Sequence, residues 1–214
     1  MDLQTLDFDR YQRFAFTAEL MDQLGGEGLR VLDVGSLDNR LAGFLPRHRV
    51  VPWEGEISRA KGGLPFDDRA MDVVVALDVL EHVAPGERGF FLAELSRVSD
   101  TACVIGFPIA AAAEAERFVL GITGSAWLAE HQEHGLPQPR EVEAILSRLG
   151  LEFTRHPNAC LPSWTAMMLL MYGVRDRDLR GDISAFFNRH FYRLENREPA
   201  YRYIYLCRRR GAGA

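Results

Sequence analysis

Residues 29–35, LRVLDVG, form an apolar run that ends in an acid and a glycine. A continuous run of this kind is the pattern of a parallel strand buried on both faces, closing in a tight turn. A second run, MDVVVALDVLEHV at 71–83, repeats the pattern and ends in Asp78, Glu81 and His82. In open parallel sheets, ligands bind just beyond the carboxyl ends of the strands. Two buried strands ending in acids and small residues therefore predict one shared pocket for a nucleotide-type ligand.

Elements of alternating type flank these strands. From Asp9 to Leu24 apolar residues recur at helical spacing, and Gly25-Gly26 supplies the stop. Asp38 or Asn39 is placed to cap a further helix with Leu41, Phe44 and Leu45 inside, ending at Pro46. RVVPWE at 49–54 reads as a short second strand. GEISRAKGG at 55–63 is too short for a helix plus another strand, so the third-strand region is shortened. Pro85-Gly86 opens a helix carrying Phe90, Phe91, Leu92, Leu95 and Val98, and TACVIGFP at 101–108 is the next strand. Residues 110–130 are helical, with a break around Gly121 to Gly124. Residues 130–140 read as a loop, 140–150 as a helix and 151–158 as a strand. Helical stretches over Trp164–Val174 and Asp182–Leu194 precede a half-exposed last strand, AYRYIYLCRRR.

A chain of 214 residues with 47% hydrophobic content has enough apolar material for a sizeable core. The expectation is a single α/β domain over 1–214 with a helical insertion or lid at about 109–139. The net charge of −5 argues against a dedicated nucleic-acid binder, so no nucleic-acid partner is expected. Arg208-Arg209-Arg210 reads as a solvated tail. Cys103, Cys160 and Cys207 form no CxxC pair and suggest neither a disulfide framework nor a zinc site. The acidic amino terminus lacks an apolar core, and no run reaches the roughly 18 apolar residues of a membrane span. A cytoplasmic location follows as the default.

Three features carry chemistry. A glycine-containing turn after Asp33 brings backbone N–H groups toward a polar ligand. Glu54 ends the second strand 19 residues after Gly35, where an acid commonly takes ribose hydroxyls. Its two acceptor oxygens match the two donors of a cis-diol, and Glu56 is the alternative if the strand end is misplaced. Asp78, Glu81 and His82 crowd polar groups at the mouth of the next strand. The GxGxxG fingerprint is unmet, which disfavours a nicotinamide dehydrogenase.

LDVGS and LPFDDRAMDVVVALDVLEHV (64–83) together resemble the first and fourth-strand motifs of class I S-adenosylmethionine-dependent methyltransferases. The resemblance implies a three-layer Rossmann-like α/β fold with a mostly parallel sheet and an antiparallel last strand. It also implies S-adenosylmethionine as cofactor. Gly35 and Ser36 would line its methionine portion, Asp33 would hold its ammonium and Glu54 its ribose. Leu64 and Phe66 would cover the adenine, with Asp78 at the pocket mouth. The pattern EHxxxGLP (130–137), with HPN and a tryptophan further on, is similar to a bacterial subgroup of largely unassigned substrate. Some of that subgroup accompany glycosyltransferases.

The expected reaction is methyl transfer to an oxygen or nitrogen of a small-molecule or glycan-type acceptor. A hydroxyl acceptor needs a proton acceptor, and His82 and His131 are the candidates. Glu130-His131-Gln132-Glu133-His134 matches neither HExxH nor HxxEH, so it reads as a polar loop and no metal is expected. Phe186, Phe187, Phe191 and Tyr192, with Met167, Met168 and Met171, read as helix packing or as contact with a second copy in a homodimer. A catalytically inactive, methyltransferase-like binding or scaffold domain is the alternative.

Overall fold

In a computed structural model describing residues 2–36 and 38–209, six strands form one sheet in the order β2-β1-β3-β4-β6-β5. The strands are β1 (Arg30–Val34), β2 (Arg49–Trp53), β3 (Met71–Leu77), β4 (Ser99–Pro108), β5 (Leu151–Cys160) and β6 (Ala200–Arg209). The first four pair in parallel, while β6 runs antiparallel to both β4 and β5. The strand order reverses at β1, which lies between β2 and β3. A crevice opens at such a switch point.

Alternation along the buried strands builds two apolar layers. Val31, Val73, Val75 and Val104 pack with Phe14, Leu20 and Met21 of α1 (Phe8–Leu24) on one face. Leu32, Val74, Ala76 and Ile105 pack on the other with Phe91, Leu92 and Leu95 of α3 (Arg88–Val98), beside Val142 and Leu146 of α6 (Pro139–Arg148). A third cluster lies at the carboxyl end, built from α4 (Ala113–Thr123), α5 (Ala126–His134) and α7 (Leu161–Gly173). There Trp164 stacks on Tyr201 with ring centroids 3.8 Å apart.

Several sequence boundaries need correction. The helix after β1 is one short turn, α2 (Leu41–Phe44), and no side chain caps it. Asp38 pairs instead with Arg10 and Arg40. Between β2 and β3 the described chain holds only an isolated Ser58–Gly62 bridge, in keeping with the shortened third-strand region, and the sheet has six strands. The break in 110–130 falls at Gly124, whose φ of 63° ends α4. The segment read as a loop at 130–140 is helical through His134, because the Ser125 side chain caps the amide of Leu128 and starts α5. The helix expected from Asp182 starts earlier, at Arg177, capped by Asp176. Arg210 of the basic run lies outside the described residues. Among those described, no helix is long and apolar enough to cross a membrane.

Candidate functional site

The carboxyl ends of β1, β2 and β3 meet in a cleft lined by Asp33, Gly35, Ser36, Glu54, Asp78 and His82. The cleft volume is about 360 Å³. These six residues, all singled out from the sequence, thus share one cavity. The parallel register explains this, since Asp33 lies beside Pro52 of β2 and Val75 of β3. Arg10, Arg13 and Trp127, to which the sequence assigned no role, also line it, together with Glu130.

The turn after β1 is shaped around its glycine. Gly35 has φ of 79°, and a Cβ built there would lie 2.6 Å from Cγ2 of Val79. The Gly35 amide donates to the Trp53 carbonyl at 2.8 Å, which ties the turn to the end of β2. Asp33 beneath it is 5% exposed. Burial raises its pKa to about 6, offset in part by a hydrogen bond from Ser36 and by the charge of Arg13. A buried carboxylate in this position gains from a cationic ligand. Glu54, by contrast, is exposed at the rim.

Asp78 reaches the cleft, but the structure commits its carboxylate to the protein. Oδ1 accepts from Nε of Arg202 at 2.7 Å, and Oδ2 accepts from Arg13 at 2.7 Å and from Nη2 of Arg202. Asp9 joins the cluster, accepting from Arg202 at 2.8 Å, from Arg13, and from the Trp164 indole at 3.1 Å. Burial pushes Asp9 up, yet the Arg202 and Arg13 guanidiniums hold it below the usual carboxylate value. Two acids and two arginines thus neutralise one another, as buried charges require. Asp78 is therefore a brace between α1, β3 and β6, and the ligand role expected for it gives way. The one sequence signal was an arginine inside the apolar run YRYIYLC.

Leu64 also moves out of the site. It is 4% exposed in the core beside Phe91 and Leu95, and its amide donates to Glu94 at 2.9 Å. The shortened segment after β2 keeps it under α3, away from the cleft lining.

The two histidines differ. His82 is half-buried on the cleft wall, and its pKa is lowered by burial and then by the neighbouring His131. Its imidazole is neutral at pH 7 and able to accept a proton. His131 is fully buried on the inner face of α5, with its ring 5.0 Å from that of His82. Nδ1 of His131 lies 3.0 Å from Oε1 of Glu116, which also accepts from Tyr201 at 2.7 Å. His131 packs behind His82 and Trp127 and does not itself line the cleft, so the geometry does not support its expected role as a direct proton acceptor for the substrate. Glu81, adjacent to His82, is fully buried, and burial followed by the charge of Asp78 raises its pKa well above the ordinary value.

A second cavity of about 560 Å³ adjoins the cleft, sharing Arg10, Arg13 and Trp127 with it. Met167, Met168 and Met171 contribute to its wall, with Arg175 and Arg180. The methionines therefore pack in the core and also face a cavity. Phe187 packs edge-on against Phe8, whereas Phe186 is exposed.

No protein-family model matches the chain, and no curated protein matches it. Similarity appears at the level of solved structures. A methyltransferase structure from Bacillus halodurans is 17% identical, with 89% of this chain and 97% of that chain covered at a TM-score of 0.52. Magnesium protoporphyrin IX methyltransferase from Synechocystis, solved with S-adenosylhomocysteine, is 14% identical, covering 94% and 83% at a TM-score of 0.54. A methyltransferase from Haloferax volcanii, solved in complex with the Trm112 activator, is 15% identical, covering 94% and 90% at a TM-score of 0.55. At such identities the likeness concerns architecture, and this chain has the Rossmann-like fold of S-adenosylmethionine-dependent methyltransferases.

Proposed function

We propose that the chain is an S-adenosylmethionine-dependent methyltransferase acting on an oxygen or nitrogen of a small-molecule or glycan-type acceptor. The observation that carries this reading is the convergence of Asp33, Gly35, Ser36 and Glu54 on one cleft at the switch point of the sheet. The residues fit the cofactor. The Gly35 turn leaves no room for a side chain, the buried Asp33 carboxylate suits an ammonium, and rim-placed Glu54 suits a ribose diol.

When bound, the cofactor supplies a sulfonium methyl group. The chain contributes alignment and exclusion of water. Asp33, Gly35 and Ser36 hold the amino-acid end, and Glu54 orients the sugar. His82, neutral on the cleft wall, takes the proton from a hydroxyl acceptor; an amine needs no such base. The neighbouring methionine-lined cavity receives the acceptor. The helical segment over about 109–139 serves as lid through Trp127 and Glu130. The sequence pattern at 130–164 supports the bacterial subgroup of unassigned substrate. The bare stretch between β2 and β3 keeps the non-catalytic binding domain as the second reading.

Thermal unfolding with S-adenosylmethionine and S-adenosylhomocysteine, against NADH, tests the proposal. A ligand at about 100 times its Kd adds roughly 2.7 kcal/mol, a rise of about 5–10 °C at this size. A saturable shift supports the cofactor site, and methylation of an acceptor then separates enzyme from binding domain. No shift with either sulfur compound removes the methyltransferase reading.

A further inference from the structure

Glu81 and His131 converge on His82 just behind the cleft wall that His82 lines. One ligand atom from each lies within 4.8 Å of the others. The side chains of Glu81 and His131 are fully buried. Neither carboxylate oxygen of Glu81 has a hydrogen-bond partner beyond its own residue, and Nε2 of His131 has none. Leaving such groups unmet in the interior costs about 1–3 kcal/mol apiece. A cluster of three unpartnered buried atoms facing one another therefore asks for a ligand that satisfies all of them at once.

We propose that Glu81, His82 and His131 form a binding site for a first-row divalent metal ion such as Zn²⁺. Two imidazoles and a carboxylate are a donor set suited to such ions. The outer contacts support the assignment. Glu116 lies 3.0 Å from Nδ1 of His131 and is itself held by the Tyr201 hydroxyl at 2.7 Å. With Nδ1–H donating to Glu116, the Nε2 lone pair is directed toward Glu81, 3.9 Å away. A carboxylate behind a histidine in this way orients the ring and strengthens it as a metal ligand. The two elements that supply the ligands are also fastened together. Arg88, which donates to the Val83 carbonyl at 3.1 Å, donates to the Gly135 carbonyl at 2.6 Å. This joins the turn after β3 to the end of α5.

Metal bonds of about 2.0–2.2 Å require the three side chains to close toward one another by small rotations. His82, half-buried, is the one member of the trio on the cleft wall, so an open position on the ion would lie on that side. Catalytic metal sites keep such a position for water or substrate. Resting on the methyl-transfer reading, that open side would take an acceptor hydroxyl. The ion lowers the hydroxyl's pKa, its proton leaves to solvent, and the oxygen forms the new bond to the methyl carbon as the carbon–sulfur bond breaks with its electron pair on sulfur. His82 is then a ligand rather than a free base, and the acceptor is an oxygen compound.

The test is titration of the chelator-treated full chain with Zn²⁺, followed by calorimetry, and with Co²⁺, followed by its visible ligand-field absorption. One ion per chain with a tetrahedral-type cobalt spectrum is the expected result. His82→Ala, at a half-exposed position, should remain folded and lose affinity by more than about 100-fold. Glu116→Gln should lose about 10–100-fold, as outer-shell changes do. His134→Ala, outside the trio, should bind as the parent does. Absence of stoichiometric binding, or equal affinity in the His82→Ala chain, overturns the site. The S-adenosylmethionine shift is measured on the same metal-free protein. A retained shift without metal binding removes this inference alone, and metal binding without a shift removes only the methyl-transfer reading.

Discussion

Arg202 near the start of β6 donates through Nε and Nη2 to both carboxylate oxygens of Asp78, 124 positions earlier in the chain. Asp78 has a φ of 54°, so the pair also pins a left-handed residue at the point where β3 turns into the cleft wall. Arg202 is fully buried and the Asp78 side chain is 3% exposed. Removing one partner leaves the other charged and desolvated, which typically costs about 3–5 kcal/mol. Arg202→Met and Asp78→Asn should each lower the unfolding free energy measured in urea by an amount of that order. A loss under about 1 kcal/mol would show that the cluster does not brace the fold.

Asp33 sets a pH dependence. Its folded pKa of about 6 stands above the ordinary value of 3.8, so the folded state disfavours its ionised form. The free protein therefore gains stability from this group as pH falls through 6 toward the unfolded value. At pH 7 the penalty is roughly 3 kcal/mol, and Asp33→Asn should recover part of it. Cofactor affinity moves oppositely, because the ammonium needs the carboxylate. Affinity should fall about tenfold per pH unit below 6, and the Asp33→Asn chain should bind weakly with no such slope. Calorimetric Kd values on both sides of pH 6 decide the matter.

Gly35→Ala combines a positive φ with a collision against Val79. The conformational cost is about 1–2 kcal/mol, and the contact adds to it. Shortening the neighbour in a Gly35→Ala/Val79→Ala chain should relieve the collision but not the backbone cost. Equal cofactor binding in the Gly35→Ala chain would contradict the assigned turn.

Glu54 and Leu64 separate a ligand contact from a core contact. Glu54→Ala, at an exposed position, should leave the unfolding free energy within about 0.5 kcal/mol. Its loss of a charge-assisted hydrogen bond should weaken S-adenosylhomocysteine binding about 10–100-fold. Leu64→Ala should do the reverse, costing about 2–5 kcal/mol of stability with affinity little changed in the protein that stays folded. Paired melting and binding curves read both effects.

The strands, their order of use and most of the cleft were legible in the sequence. The apolar runs at 29–34 and 71–77 could be satisfied only by burial on both faces, and a ligand crevice follows from the ends of such strands. Asp33, Gly35, Ser36, Glu54 and His82 accordingly lie where strand ends converge. The length of 55–63 showed that the third-strand region is shortened, and the structure has no strand there among the described residues. The partners of the charged residues were decided only by tertiary structure. Asp9 and Arg13 of α1 lie far along the chain from Asp78 and Arg202, and no local period relates a residue of α1 to one of β6. The same holds for His131, which the sequence placed in a loop and the Ser125 cap placed on the buried side of a helix facing Glu81. Local patterning specifies which residues must be buried, whereas the identity of the groups that neutralise a buried charge depends on how distant elements pack.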